Sequence, residues 1–169
     1  MTQEEFIEIL DKKKYSYEIE GDKLVVTYKE GVWLGYLTSL PPGVEFKNGG
    51  NVWLDSITSL HPGVVFENIG YVYLNSLTSL PPGVGFKNEK DVNLNSLTSL
   101  TSDVEFNNGG IVYLNALTSL STGVEFKNEG DVYLPSLIGG HFDKWKGNIE
   151  GIDSNRLLNF MISKGIFER

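Results

Sequence analysis

Histidine, cysteine and paired acidic residues carry most catalysis and metal binding, and this sequence has few of them. It contains no cysteine, which excludes a disulfide, a thiolate metal site and a cysteine nucleophile. The histidines, His61 and His141, lie four repeats apart, which is about 19 Å at strand spacing and too far to share a metal or substrate. No nucleotide loop of the G-x-x-x-x-G-K-[ST] type is present. Asp91 and Asp131 are single and form no calcium loop. The sequence therefore predicts no enzyme, no metal site and no cofactor.

The residues best suited to recognition are a periodic set of aromatics. One position recurs every 20 residues between a valine and a leucine: Trp33, Trp53, Tyr73, Asn93, Tyr113 and Tyr133. Alternation along a strand turns this position outward if the valine and leucine point inward. We call this column the aromatic ladder and predict that it is a binding face, because tryptophan and tyrosine are favoured interface anchors. The structural alternative is that aromatic residues simply suit β-sheets and stack on their neighbours.

The ladder belongs to a 20-residue repeat. The pattern V-x-L-x-S-L-T-S-L-P-P-G-V-x-F-x-N-x-x-x recurs from Val32 onward. Its two alternating segments, V-x-L and V-x-F-x-N, predict two brief strands per repeat. The first corner should have a positive φ at Gly43, Gly63, Gly83 and Gly123. The second corner is marked by Gly50, Gly70, Gly110 and Gly130.

A chain that turns at two corners every 20 residues should coil. No segment inside the repeat shows a helical period, so we predict a mainly β, single-domain parallel β-solenoid of about six coils. Burying one large apolar side chain contributes about 1.5–3 kcal/mol. Ordering one residue costs about 1.5 kcal/mol, so a coil is stable only when stacked. The inward columns are represented in one coil by Val72, Leu74, Leu77, Leu80, Val84 and Phe86.

Two polar columns accompany the apolar ones. We expect the first to be structural, with amides that hydrogen-bond one another and the turn backbone. Its members are Asn48, Asn68, Asn88, Asn108 and Asn128. The second column consists of Thr38, Thr58, Thr78, Thr98 and Thr118. A flat hydroxyl array would suggest ice binding, but each threonine precedes serine and leucine within a predicted bend, which disfavours that function.

The L-T-S-L-P segment followed by a V-x-F strand resembles bacterial leucine-rich repeats, above all the 20-residue class of secreted effectors. The resemblance covers residues 32–138. It departs from the family at Leu74-Asn75-Ser76-Leu77, where the second leucine comes two positions early. The coil is therefore either leucine-rich-repeat-like or β-helix-like. The whole plan also resembles short repeat proteins of bacteria and their phages. The resemblance implies binding of a protein partner through the strand face.

Both ends of a solenoid need covering, because an open end exposes core and unpaired backbone. We predict one domain in three parts: an N-terminal cap over residues 1–23, the solenoid over 24–138 and a C-terminal cap over 139–169. Thr2 and Glu5 form a capping box that should open the first helix. A hairpin turning at Gly21-Asp22 should then lead into the first coil. Asp153 or Ser154 should cap a final helix.

Charge and hydropathy limit the classes of partner that the protein can bind. The chain of 169 residues has a net charge of −8, which argues against direct nucleic-acid binding, since that requires lysine and arginine. No apolar run reaches the roughly 18 residues of a membrane span. No apolar segment follows the acidic N-terminus, so we expect no signal peptide and a cytoplasmic location, in a host cell if the chain is phage-encoded.

Three functions remain at this stage. The first is a non-enzymatic repeat protein that binds a protein partner, or a second copy of itself as a homodimer, through the aromatic ladder. The second is a small acidic inhibitor, phage-encoded in this interpretation, that occupies the basic groove of a host defence or nucleic-acid-binding enzyme. The third is glycan binding, because aromatic rings stack on sugar faces.

Overall fold

The computed structural model describes residues 1–101, 103–121, 124 and 126–136. The chain begins with one α-helix, α1, over Gln3–Lys13, and continues as short strands. The strands are β1 (Tyr17–Glu20), β2 (Lys23–Val26), β3 (Val32–Trp33), β4 (Val44–Phe46), β5 (Val52–Trp53), β6 (Val65–Phe66), β7 (Val72–Tyr73), β8 (Gly85–Phe86), β9 (Val92–Asn93), β10 (Ser99–Leu100), β11 (Glu105–Phe106), β12 (Val112–Tyr113), β13 (Ser119–Leu120) and β14 (Val132–Tyr133).

The N-terminal cap forms as predicted. The Thr2 hydroxyl accepts from the Glu5 amide at 3.2 Å, and the Glu5 carboxylate accepts from the Thr2 amide at 2.8 Å. Helix α1 buries Phe6 and Leu10 completely against the first coil. Because these two side chains cover the end of the apolar columns, α1 closes the solenoid at this end.

The strands form a parallel β-solenoid with two long faces. After the antiparallel β1–β2 hairpin, the first sheet runs β1-β2-β4-β6-β8-β11. The second sheet runs β14-β12-β9-β7-β5-β3 and carries the aromatic ladder. Each parallel pair joins residues 20 apart, as in Trp33 with Trp53 and Phe46 with Phe66. The described residues complete about five turns.

The predicted inward columns form the core. Val72, Leu74, Val84 and Phe86 are fully buried, and the equivalent residues of the other described coils follow the same pattern. The phenylalanines stack along the axis with centroids 4.9–5.3 Å apart, from Phe46 to Phe126. This stack keeps the coils in register, because a slip of one residue would turn the whole apolar set outward.

The two corners are built differently. Gly43, Gly63 and Gly83 have φ of 70°, 77° and 76°, as the sequence predicts, while Gly123 lies outside the described residues. At the other corner successive coils approach so closely that a Cβ on Gly50 would lie 2.6 Å from the backbone nitrogen of Gly31. Glycine therefore suits the first corner through its dihedral angles and the second through its size. Asp103 and Lys90 take the equivalent positions in one coil each, and neither shows a positive φ in the described part of the chain.

The asparagine column is buried at this second corner, where the predicted bonds to the turn backbone are present and the predicted bonds between amides are not. Asn68 Nδ2 donates to the carbonyls of Gly50 and Gly70, both at 3.0 Å. Each amide thus bridges the corners of two coils. The amides do not bond one another, and their Oδ1 atoms accept no hydrogen bond within the described part of the chain. The backbone carbonyls of the corner face the column. They therefore accept the Nδ2 hydrogens that we expected to bond the Oδ1 atoms of neighbouring asparagines.

A third, minor pairing was not predicted. Strands β10 and β13 pair in parallel along the segment that the sequence suggested was a bend. The exposed threonines beside it act structurally: the Thr118 hydroxyl donates to the Thr98 carbonyl at 3.2 Å. The predicted C-terminal cap over 139–169, including the helix after Asp153 or Ser154, lies outside the described residues, as does residue 137 at the end of the solenoid.

Candidate binding surface

The aromatic ladder lies on the outward side of the second sheet. Trp33 is 58% exposed and Tyr133 is 55% exposed, whereas the four members between them are half-buried. Val32 and Leu34 on either side of Trp33 are fully buried, so alternation places the ladder outward as predicted. The structure brings all six predicted residues into one line along the solenoid axis.

The rings of the N-terminal half form a continuous stack. Trp33 and Trp53 lie face to face, with centroids 3.5 Å apart and planes 13° apart. Trp53 and Tyr73 continue the stack at 5.9 Å and 5°. The C-terminal pair differs, because Tyr113 and Tyr133 meet edge to face at 6.3 Å and 63°. Asn93 separates the two groups, and no ring contact crosses it among the described residues.

The stacking decides which part of each ring faces solvent. In the N-terminal half the ring faces are turned toward neighbouring coils, because near-parallel rings follow one another along the solenoid axis. The surface therefore presents ring edges. Burial of ring faces is consistent with the half-buried state of Trp53 and Tyr73.

Two further exposed aromatic residues were not assigned to the surface from the sequence, and one lies beside the ladder while the other lies beside helix α1. Tyr71 is 37% exposed and stacks on Tyr73 with centroids 6.1 Å apart. Alternation could have identified it, since it lies two residues before Tyr73. Tyr36 is 57% exposed, and the Lys13 ammonium lies 5.1 Å from its ring centroid. Ile9, Lys12, Lys13 and Tyr36 line a shallow cavity of about 450 Å³ there.

Polar residues flank the ladder on both sides. The column beginning at Gly31 continues with Asn51, Tyr71, Asp91, Ile111 and Asp131. The column beginning at Gly35 continues with Asp55, Asn75, Asn95, Asn115 and Pro135. We call these two columns and the ladder together the aromatic face. It contains three carboxylates and no lysine or arginine.

The flanking side chains are held in place by hydrogen bonds between coils. Asn75 Nδ2 donates to Asp55 Oδ1 at 2.8 Å, and Asn95 Nδ2 donates to Asn75 Oδ1 at 3.0 Å. On the other side, Asp91 Oδ1 accepts from the Ile111 backbone amide at 2.9 Å. The polar groups beside the ladder are therefore preorganised.

Tyr73 lies in the most enclosed and most acidic part of the aromatic face. Burial raises the pKa of its phenol, and the nearby Tyr71, Asp91 and Asp55 raise it further. Tyr73 consequently stays protonated well above neutral pH and can donate a hydrogen bond.

The first sheet has a different outer surface. Ion pairs join Lys47 to Glu45 at 3.4 Å and to Glu67 at 3.8 Å, and Lys87 to Glu105 at 3.2 Å. Outward positions around the V-x-F segment carry lysine and glutamate, which predicts a solvated face of mixed charge. The pairing is present, but Glu45 is only 7% exposed, because Lys23 and Lys47 close over it. The Lys23 hydrogen bond holds the pKa of Glu45 below its usual value, with Lys47 adding to the effect.

The remaining candidates form no further site. His61 is exposed in a turn, and His141 lies outside the described residues. No group of three histidine, cysteine, aspartate or glutamate side chains within 1–101, 103–121, 124 and 126–136 could hold a metal ion. No helix in the same part of the chain is long and apolar enough to cross a membrane.

No family model, curated protein or solved structure matches this chain.

Proposed function

We propose that this protein is a non-enzymatic binding module whose aromatic face docks a protein partner. The observation that carries the proposal is the line of outward rings, in which Trp33 and Tyr133 remain more than half exposed at either end. Exposed tryptophan and tyrosine in one contiguous patch cost solvation unless a partner covers them. Stacking already orders the rings of Trp33 and Trp53, and the inter-coil hydrogen bonds order the flanking polar side chains, which lowers the entropic cost of binding.

Ring orientation favours a protein over a glycan. A sugar stacks along several exposed ring faces, but within the stack both faces of Trp53 and one face each of Trp33 and Tyr73 are turned to a neighbouring ring. Ring edges with indole N–H and phenol O–H groups instead suit a mixed apolar and hydrogen-bonding contact with a protein. The leucine-rich-repeat resemblance points to the same strand face.

The charge of the aromatic face supports a particular kind of partner. Its carboxylates, Asp55, Asp91 and Asp131, meet no cation within the face, so a basic protein surface is complementary. The inhibitor hypothesis is a special case of this contact, in which the basic surface is the nucleic-acid groove of an enzyme. Strong loss of binding with rising salt would favour the inhibitor, because each acid–base contact is screened.

The test is capture of partners from the native host with the wild-type chain and with Trp53→Ala/Tyr73→Ala. The control is Thr58→Ala/Thr78→Ala, which alters two exposed threonines away from the aromatic face. We expect at least a tenfold loss of the captured protein with the ladder variant and none with the control. Size-exclusion chromatography of the same proteins tests whether the partner is a second copy. The proposal would be contradicted if Trp53→Ala/Tyr73→Ala captured the partner, or dimerised, as well as the control variant does.

We also propose that residues 139–169 cover the C-terminal end of the solenoid. Val132 in β14 is half-buried, whereas Val32, Val52, Val72, Val92 and Val112 of the same column are fully buried. An apolar end of this kind needs a lid. Deleting residues 141–169 should lower the melting temperature or cause association. A soluble, monomeric truncation with an unchanged melting temperature would refute the lid.

A further inference from the structure

The aromatic ladder has a gap of one ring at Asn93. Strand β9 pairs Asn93 in register with Tyr73 on one side and Tyr113 on the other. An asparagine side chain is much shorter than a tyrosine. A notch therefore lies between the two tyrosines, with Asn93 as its floor. The Asn93 amide makes no side-chain hydrogen bond within the described residues, so it is available to a ligand.

The notch has room for one flat group. Successive rings of the phenylalanine stack are 4.9–5.3 Å apart, so Tyr73 and Tyr113 are separated by two such steps, about 10 Å. A planar group in contact with both rings needs about 7–8 Å at carbon–carbon contact distances. The Tyr73 and Tyr113 rings would tilt toward each other to shorten their separation from about 10 Å to the roughly 7–8 Å that contact requires. Trp33 and Trp53 already do this, since their 3.5 Å separation is shorter than the strand spacing.

A charged acceptor lies beside the notch. Asp91 lies two residues before Asn93 on the same outward side, and only one of its carboxylate oxygens is used by the Ile111 amide. On the other side, the Asn95 Oδ1 atom is buried and its Nδ2 donates to Asn75 Oδ1, so Asp91 supplies the acceptor for a ligand. No lysine or arginine of the aromatic face neutralises Asp91. The notch therefore suits a flat cation with several donors.

We propose that the notch at Asn93 receives an arginine side chain of the protein partner, with the guanidinium between Tyr73 and Tyr113 and paired to Asp91. Guanidinium is planar, stays charged, stacks on aromatic faces and donates in a fork to a carboxylate. A lysine ammonium lacks the plane, and a neutral amide lacks the charge. This inference rests on the proposed function, because it names the chemistry by which the same face recognises its partner.

A small-molecule titration tests the notch without knowledge of the partner. The probe is N-acetyl-arginine amide, added at constant ionic strength to the ¹⁵N-labelled full chain and followed by NMR. We expect saturable shifts centred on the Asn93 side chain, with a dissociation constant on the order of 10 mM. N-acetyl-lysine amide and N-acetyl-glutamine amide should bind at least threefold more weakly.

Three variants make the result specific. Asn93→Tyr should fill the notch and abolish the shifts while leaving the fold intact, because tyrosine occupies the same position in neighbouring coils. Asp91→Asn should weaken binding at least threefold. Thr98→Ala, away from the aromatic face, should leave binding unchanged. Equal binding to Asn93→Tyr, or the absence of saturable shifts at Asn93, would overturn the inference. Either result would leave the proposed function to be judged separately by the Trp53→Ala/Tyr73→Ala capture experiment.

Discussion

The indole rings of Trp33 and Trp53 lie face to face, with centroids 3.5 Å apart and planes 13° apart, although the two residues are 20 positions apart in the chain. So close a pair of indoles should couple electronically. We predict an exciton couplet in the circular dichroism spectrum that disappears in Trp33→Phe and in Trp53→Phe. Tyr113→Phe, in the same ladder but outside the stack, should retain it. A couplet that persists in both tryptophan variants cannot come from this stack.

The buried asparagine column should contribute strongly to stability. Removing the Asn68 amide takes one of two amide donors from each of the Gly50 and Gly70 carbonyls, which keep the hydrogen bonds from Asn48 and Asn88. A typical hydrogen bond contributes about 0.5–1.5 kcal/mol net, so the loss of these two bonds in Asn68→Ala should lower the free energy of unfolding by about 1–3 kcal/mol in urea. Asn75→Ala is the control: it changes a half-buried amide of the outer surface and should cost less than about 1 kcal/mol. Equal losses for the two variants would contradict the bridging role of Asn68.

Glycine size, rather than glycine flexibility, should matter at the second corner. A Cβ on Gly70 would lie 2.5 Å from the carbonyl carbon of Gly50, so Gly70→Ala forces two coils apart and should cost more than about 2 kcal/mol. Gly85 provides the contrast, because the nearest atom to its added Cβ is Val65 Cγ1 at 3.7 Å. Gly85→Ala should be neutral or stabilising by about 0.4–1 kcal/mol, since alanine reduces the entropy of the unfolded chain. Thermal melts compare the two, and a larger loss for Gly85→Ala would refute the close-packing argument.

Glu45 should make stability depend on pH in the acid range. The Lys23 hydrogen bond lowers the pKa of Glu45 in the folded protein below the unfolded value of about 4.3. Its contribution is therefore complete above that value and is lost as the pH falls through the folded pKa. Glu45→Gln should cost about 1 kcal/mol at neutral pH, a modest figure because Lys23 is half exposed.

The effect of Glu45→Gln should vanish at low pH, because protonated glutamate and glutamine are alike in charge. Urea unfolding at about pH 7 and about pH 2.5 measures the change. Glu105→Gln is the matched control, since Glu105 pairs with Lys87 in the same column but is exposed. It should change stability by less than about 0.5 kcal/mol at either pH. A Glu45→Gln cost that is independent of pH would contradict the account.

The sequence predicts the columns of this fold well, because a 20-residue period and strict alternation determine which side chains point inward. The sequence predicts less well how deeply a side chain is buried and which partners its polar atoms bond. Alternation with Val44 and Phe46 turns Glu45 outward, but its burial depends on Lys47, two residues further along, and on Lys23 in the paired strand β2. The amide column was located correctly, yet its hydrogen bonds go to backbone carbonyls whose direction only the corner geometry determines.

For the candidate surface, too, the sequence predicts some features and not others. The position of every ladder residue follows from the repeat, and the structure places all six in one line. The face-to-face stacking of the rings arises from packing between coils, and the sequence pattern does not predict it. Alternation could have placed Tyr71 on the same outward side, but its contact with Tyr73 appears only in the structure.

The central claim is that the aromatic face contacts a protein partner, and site-specific photo-crosslinking tests it most directly. One labelled protein carries a photoreactive phenylalanine derivative in place of Tyr113. A second carries it in place of Thr118, which is exposed and lies outside the aromatic face. After irradiation with the native host proteins, the Tyr113 position should give one discrete crosslinked species that unlabelled wild-type chain competes away, and the Thr118 position should give none. A crosslink of equal strength at Thr118, or one at Thr118 alone, would contradict the account.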